Sequence, residues 1–259
     1  MAKVRIALLT LIAVAVLRAQ VRPTRIDLND PRPVAMAAVE LERHLGWVVT
    51  YEDPAWLAQS EVKDVTESVR SDMQSMPAFM RNLIPRVLVP KGGSFSFELP
   101  SGPMARGGRV NAVNDILTAH TSSGNPGVFR AQEGASGRLH IIPMVARDRS
   151  GQLVAQQPIL SRPITVPSRQ YQGLEFLGAF TEELARSTGV DVQIGTVPLN
   201  TFVHHTGTYG AANEPAREAL SRFLDGVGDS YSWQLFFDPV DRNYVLNIHS
   251  VDTKGRLPR

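Results

Sequence analysis

The sequence predicts an α+β protein made of two related β-α-β-β-α-β-β modules, each with two helices on a small mixed sheet. Apolar residues recur with helix and strand periods in alternation, separated by Gly and Pro. A helix followed by a glycine and then a strand occurs once in each half. The 259 residues are 43% hydrophobic and include no Cys, which favours one large or two small packed domains and excludes a disulfide scaffold.

In the first half, residues 25–28 predict a strand, and Asp30 is the expected N-cap of the helix that follows. That helix has an apolar face and ends at Gly46, after which residues 47–51 predict a second strand. Residues 95–99 predict a third strand, a helix follows it, and residues 128–131 and 139–142 predict a hairpin. The apolar positions of the two helices are Val34, Ala37, Ala38, Leu41 and Leu45, then Val110, Val113, Ile116 and Leu117.

The second half repeats this order. A strand at residues 164–166 precedes a helix that ends at Gly189, and residues 190–194 predict the next strand. Residues 206–209 predict a strand before a helix that is capped by Asn213 and ends at Gly226. Residues 232–237 and 244–248 predict the closing hairpin. The positions of the first helix stripe are Leu174, Leu177, Phe180 or Thr181, Leu184 and Thr188, and those of the second are Ala216, Leu220 and Phe223 or Leu224.

Two segments interrupt the repeat. Residues 56–93 form an insertion in the first module, and its apolar side chains predict a short helix whose Met-rich face packs in the core, with a partner-docking groove as the alternative. These side chains are Met73, Met76, Phe79, Met80, Leu83 and Ile84. Residues 147–163 are either a linker or a protruding hairpin. The expected division is therefore 20–146, 147–163 and 164–251, with a loose tail at 252–259.

Residues 1–19 predict a signal peptide. Lys3 and Arg5 precede a 12-residue apolar run at positions 6–17, which is too short to span a bilayer. Cleavage is expected after Ala19, with Ala15 as the alternative, so the protein is expected to be secreted or periplasmic. Removing the segment lowers the net charge from +2 to −1, because 24 basic and 25 acidic residues remain. A mature chain of this charge is not expected to bind nucleic acid, and it contains no further apolar run of transmembrane length.

The second half resembles the short N-terminal domain of secretins and TonB-dependent receptors. The resemblance lies in Tyr209, the Glu-Pro-Ala-Arg-Glu-Ala-Leu segment at 214–220, Leu-Asp-Gly at 224–226, and the two closing strands. Residues 175–192 fit the opening of that domain, and residues 33–49 and 110–142 fit it more loosely. The resemblance implies a periplasmic interaction module without catalytic residues. The sequence departs from the family through its insertion, and we expect no β-barrel or secretin pore to follow Arg259.

The residue types that act in enzyme active sites and metal sites do not form a recognisable motif in this sequence. Gly228-Asp229-Ser230 resembles a hydrolase nucleophile block, but no Asp-x-x-His follows it. His204 and His205 are adjacent on a predicted strand and should point apart, and Glu40 with His44 fits a solvated helix face. We therefore expect no catalytic, cofactor-binding or metal-binding residues.

The expected function is that of a non-enzymatic interaction module that binds another envelope component, an envelope protein being the expected partner. The alternatives are a periplasmic hydrolase or a small-ligand binder with a site between the two modules. The sequence leaves the oligomeric state open. A small module leaves strand edges unpaired, and the closing strand is the candidate partner-binding edge. Its residues are Tyr244, Val245, Leu246, Asn247 and Ile248.

Overall fold

The computed structural model describes residues 24–252 apart from 103, 105 and 229, and its helices and strands confirm the α+β class. The first half contains β1 (Arg25–Asn29), α1 (Pro33–Leu45), β2 (Val49–Glu52), β3 (Val62–Asp64), α2 (Thr66–Asp72), α3 (Ala78–Asn82), β4 (Leu88–Pro90), β5 (Ser94–Glu98), α4 (Arg106–Ser122), β6 (Val128–Glu133) and β7 (Leu139–Arg147). The remainder contains β8 (Leu153–Ala155), β9 (Pro163–Gln172), α5 (Gly173–Thr188), β10 (Val192–Ile194), α6 (Leu199–His204), β11 (Thr206–Pro215), α7 (Ala216–Val227), β12 (Tyr231–Asp238) and β13 (Asn243–Ser250). The predicted signal peptide, and the predicted tail beyond Asp252, lie outside the described residues.

Glycine ends α1 and α5 as the sequence predicts. Gly46 and Gly189 adopt left-handed φ values of 64° and 71°, and each amide donates to a carbonyl of the last helical turn. The predicted N-caps are wrong in both helices where they were assigned. The Asp30 carboxylate accepts from the Arg32 amide just before α1 (2.7 Å), whereas Asn213 lies in β11 and α7 begins after Pro215. At Asp30 a local turn formed by the Asx side chain takes the place of a true cap.

The two halves have the same strand pairing. In the first half β1 pairs antiparallel with β5, while β7 pairs parallel with β2 and antiparallel with β6. In the second half β9 pairs antiparallel with β11, while β13 pairs parallel with β10 and antiparallel with β12. Each half thus has a two-stranded ribbon and a three-stranded mixed sheet, with one helix after the first ribbon strand and one after the second.

The two three-stranded sheets join into one. β12 pairs parallel with β2, which gives the strand order β10-β13-β12-β2-β7-β6, with β8 added beside β7. The halves occupy adjacent blocks of this sheet and are not interleaved. A single hydrophobic cluster also runs through both halves. The duplication itself, and the predicted division into two modules, stay predictions, but the two halves share one sheet and one core.

The first part of the segment between the halves contains β8, which pairs with β7. Of the two alternatives, a linker or a hairpin, this part is a hairpin. Val145 lies opposite Ala155, and the Asp148 amide donates to the Gln152 carbonyl (2.9 Å) at the turn. A 3-10 turn at Ile159–Ser161 then leads into β9.

The insertion projects away from the core. β3 and β4 pair antiparallel at its base, and α2 and α3 lie between them. The prediction that its Met-rich face packs in the core is wrong, because Phe79 is 65% exposed and Leu83 is 77% exposed. Apolar residues at helical spacing have the same pattern whether they face a core or solvent, so the sequence could not distinguish the two.

Candidate strand-accepting site

The candidate edge at residues 244–248 is not an edge. These five residues belong to β13, which has β10 on one side and β12 on the other. Val192 lies opposite Tyr244, and Trp233 lies opposite Ile248. The predicted site is therefore wrong. The antiparallel hairpin was expected correctly, but the parallel addition of β10 to its other side has no local signal in the sequence.

The seam between the halves shows how this fold accepts an added strand. Gln234 lies opposite Tyr51, and Leu235 lies opposite Glu52, in a short parallel pairing. The Asp53 amide donates to the Leu235 carbonyl (2.8 Å). The hydroxyl of buried Ser232 donates to the Val49 carbonyl (2.9 Å), which satisfies a further outward-facing group of β2.

Two buried carboxylates reinforce the seam. Asp53 is fully buried and accepts hydrogen bonds from the Phe237 amide (2.9 Å), the Arg32 guanidinium (2.7 Å) and the Tyr51 hydroxyl (2.6 Å). Burial and the Asp53 charge raise the pKa of Tyr51 well above its usual value, so this phenol stays protonated and donates. These contacts link β12 of the second half to β2 and α1 of the first.

The second carboxylate belongs to Glu52. It pairs with Arg217 of α7 and accepts from the Leu160 amide (3.2 Å), and both members of the ion pair are buried. Burial raises the pKa of Glu52, and the Arg217 charge and the hydrogen bonds oppose this shift. Removing either partner would leave an uncompensated buried charge, so the pair ties the two halves together in one arrangement.

β10 occupies in the second half the position that β2 occupies in the first. Ile194 lies opposite Leu246, just as Tyr51 lies opposite Ile141. The Tyr244 amide donates to the Asp191 carbonyl, and the Gly195 amide donates to the Leu246 carbonyl, both at 2.9 Å. Because successive residues of a parallel strand bond to opposite sides, the backbone groups of Val192 and Ile194 face away from β13.

The outer side of β10 has no strand beside it among the described residues. The difference from β2 is visible in the side chains. Tyr51, under the cover of β12, is 1% exposed, whereas Ile194 is 36% exposed. Leu199, at the start of α6 and five residues further along the chain, is also largely exposed. An unpaired strand edge beside exposed apolar side chains is a template for another strand.

The opposite end of the sheet is protected. The Asn114 side chain of α4 accepts a hydrogen bond from the Ala131 amide of β6 (2.8 Å). Aligning the buried residues Leu117 and Leu220 of the two second helices places Asn114 at the position of Arg217. At the joined edge the Arg217 side chain reaches across the seam to Glu52. At the β6 edge the Asn114 side chain instead accepts a hydrogen bond from the Ala131 amide of its own half. Side chains that occupy edge donors oppose further strand addition.

A cleft of about 550 Å³ lies between α1 and the end of β13, so the structure contains a concave surface between the halves. The Glu42 carboxylate there accepts from the Val49 amide (3.1 Å) and contacts the His249 ring nitrogen (2.7 Å). Tyr51 and His140, whose pKa values burial displaces, do not line it. The cleft is thus formed around a carboxylate that is already engaged.

The histidines give no metal site in the described part of the chain, where no group of three metal-ligating side chains occurs. His204 ends α6 instead of lying on a strand with His205, so that element was predicted wrongly. His44 contacts Glu40 on the surface of α1 (3.3 Å), which is the predicted arrangement.

No described helix has the length and apolar character needed to cross a membrane. No family model, curated protein or solved structure matches the chain.

Proposed function

We propose that the protein is a secreted or periplasmic, non-enzymatic interaction module that binds an extended segment of another envelope protein along β10. The observation that carries the proposal is the contrast between equivalent edges. The β2 edge is covered by β12, whereas the β10 edge faces outward. The apolar run at residues 6–17 and the resemblance of the second half to a periplasmic interaction domain support the location.

The seam indicates what kind of segment would bind. β12 runs parallel to the edge that it covers, and its alternate residues Trp233, Leu235 and Phe237 are buried. A partner segment should likewise run parallel to β10. Because Ile194 corresponds to Tyr51, which lies opposite Gln234, the apolar side chains of the partner should lie at the alternate positions opposite Gln193 and Gly195. Main-chain hydrogen bonds would supply much of the affinity, and the alternating side chains would supply the selectivity.

Photo-crosslinking can identify the partner. A photoreactive residue at position 193, whose side chain is exposed, should capture an envelope protein from the periplasm or the medium. The same residue at position 130, an exposed position on the protected β6 strand, is the matched control and should capture much less.

Two substitutions at one position then test the binding mode with the captured partner. Ile194→Pro removes an outward amide but no hydrogen bond to β13, and it should weaken binding about tenfold or more. Ile194→Thr keeps the amide and the β-branched shape, and it should change affinity by less than about threefold. Urea denaturation of both variants verifies the fold. Equal binding by two folded variants would reject strand addition at β10.

A further inference from the structure

The insertion forms a finger, defined as residues 62–90, with a well-fixed base. The Val65 amide donates to the Val87 carbonyl (3.0 Å), and the Val87 amide donates to the Thr66 hydroxyl (2.9 Å). The Arg86 guanidinium donates to the Asp64 carboxylate (2.9 Å) and closes the base from the other arm. These contacts join the two arms of the finger to each other, and neither α2 nor α3 packs extensively on another described element.

The tip of the finger carries a concentration of exposed apolar side chains. Phe79 and Leu83 are four residues apart around α3, and they are 65% and 77% exposed. The other exposed apolar side chains of the tip are Met73, Met76 and Met80. Single exposed apolar residues are ordinary, but five within eleven positions of a projecting segment indicate a surface that something covers.

Charge indicates what that surface meets. The chain has no Asp or Glu from residue 73 to residue 97, and in the same stretch it has Arg81, Arg86 and Lys91. Arg86 is paired with Asp64 at the base and Lys91 lies outside the finger, so the tip itself, residues 73–83, carries Arg81 and no carboxylate. The predicted mature chain as a whole has a net charge of −1. Apolar side chains next to basic ones suit a surface that is apolar inside and anionic outside.

We propose that the tip of the finger inserts into an anionic lipid surface and attaches the protein peripherally to a membrane. Phe79, Leu83 and the methionines would enter the boundary between headgroups and acyl chains, while Arg81 would contact anionic headgroups. A fluid bilayer adapts to flexible Met side chains, which suits a tip formed by two short helices. Attachment at the finger leaves the β10 edge, in the other half of the sheet, free for its own partner.

Vesicle flotation tests this with the chain from residue 20 onward, which lacks the apolar run at 6–17 that would itself bind lipid. The chain should float with phosphatidylcholine vesicles that contain a quarter phosphatidylglycerol and should float much less with phosphatidylcholine alone. Added salt should weaken binding, because exposed charges are screened. The double variant Phe79→Ser/Leu83→Ser should lower the bound fraction about tenfold, since two anchoring side chains are lost.

The matched control is Leu153→Ser/Val240→Ser, which removes two apolar side chains that are 61% and 38% exposed and lie outside both the finger and the β10 edge. It should bind vesicles like the parent chain, and all four positions are exposed, so the fold should survive in both variants. The proposal is overturned if the parent chain does not bind the anionic vesicles, or if both double variants bind alike. It is also overturned if the finger variant keeps vesicle binding and loses an envelope protein, because the tip is then a protein-docking surface.

Discussion

Two buried histidines should make the protein sensitive to acid. Burial lowers the pKa of His120 to about 4, and burial with the charges of Arg217 and Arg138 lowers the pKa of His140 to about 3. The usual value is 6.5. As the pH falls below about 6.5, the unfolded chain takes up protons at these positions before the folded chain does. Their contribution to stability is therefore complete above that pH and decreases on acidification.

The magnitude follows from the two pKa values. Between about pH 7.5 and about pH 5, each histidine should lower the free energy of unfolding by about 2 kcal/mol, and the pair by about 4 kcal/mol. Glu52 and Glu61 act in the opposite direction, because burial raises their pKa values and the folded state then retains their protons. The pH dependence of the parent chain's stability is therefore the sum of opposing contributions. Comparing the parent chain with a variant that lacks one histidine isolates the contribution of that histidine.

His120→Phe is the perturbation. The His120 ring meets Phe95 and Phe129 edge-on, with centroid distances of 5.5 Å and 5.8 Å, and its Nδ1 has no hydrogen-bond partner in the described structure. A phenyl ring suits this aromatic environment and does not titrate. Urea denaturation at both pH values should show that the variant loses about 2 kcal/mol less on acidification than the parent chain. The exposed His204→Gln should behave like the parent chain, and a pH dependence in His120→Phe equal to that of the parent chain would refute the reasoning.

Three further predictions concern the seam, the protected edge and export. Glu52→Ala leaves Arg217 buried without its partner and should lower the free energy of unfolding by about 3–5 kcal/mol in urea denaturation, whereas a loss below about 1 kcal/mol would contradict the role of the pair. Asn114→Ala frees the Ala131 amide and should produce concentration-dependent self-association in sedimentation experiments; a strictly monomeric variant beside a monomeric parent would contradict the protection of β6. N-terminal sequencing of protein recovered from the periplasm or the medium should begin at Gln20, and recovery of uncleaved soluble protein in the cytoplasm would contradict export.

Local patterns allowed much of the fold to be predicted. The α1–β2 and α5–β10 units followed from an apolar helical face, a glycine and a β-rich segment, and Gly46 and Gly189 lie where they were expected. The closing hairpin was also expected, and β12 and β13 pair as predicted. In each of these cases the interacting residues are close in sequence, so the signal is contained in a short window.

The candidate site could not be predicted in the same way. Whether β13 is an edge depends on β10, which is separated from it by α6, β11, α7 and β12. Whether β2 is covered depends on the contact between Tyr51 and Gln234, whose positions differ by 183 in the sequence. Parallel pairing at such separations leaves no periodicity or turn residue to recognise. The sequence therefore indicated that an edge exists but assigned it to the wrong strand.

The contact that joins the two halves is of a kind that can repeat between molecules. The two strands that join the halves, β2 and β12, have counterparts with the same pairing at the ends of the sheet, β10 at one end and β6 at the other. A contact of this head-to-tail kind joins two different surfaces, and its repetition between molecules would give an open filament or, where the rotation closes, a ring. Asn114 of α4 opposes such assembly, because its side chain accepts a hydrogen bond from the Ala131 amide, whereas Arg217 at the corresponding position of α7 pairs with Glu52 of the other half.

The two ends of the sheet are therefore unequal. β6 is six residues long and has a protected donor, whereas β10 is three residues long and has no such cover in the described structure. A short edge offers few hydrogen bonds, so an added strand needs apolar contacts such as those that Ile194 and Leu199 can supply. Protection at β6 and selectivity at β10 together favour one partner strand of suitable sequence over a second copy of the chain. This is why Asn114→Ala and Ile194→Pro should have opposite consequences, the first creating an association and the second removing one.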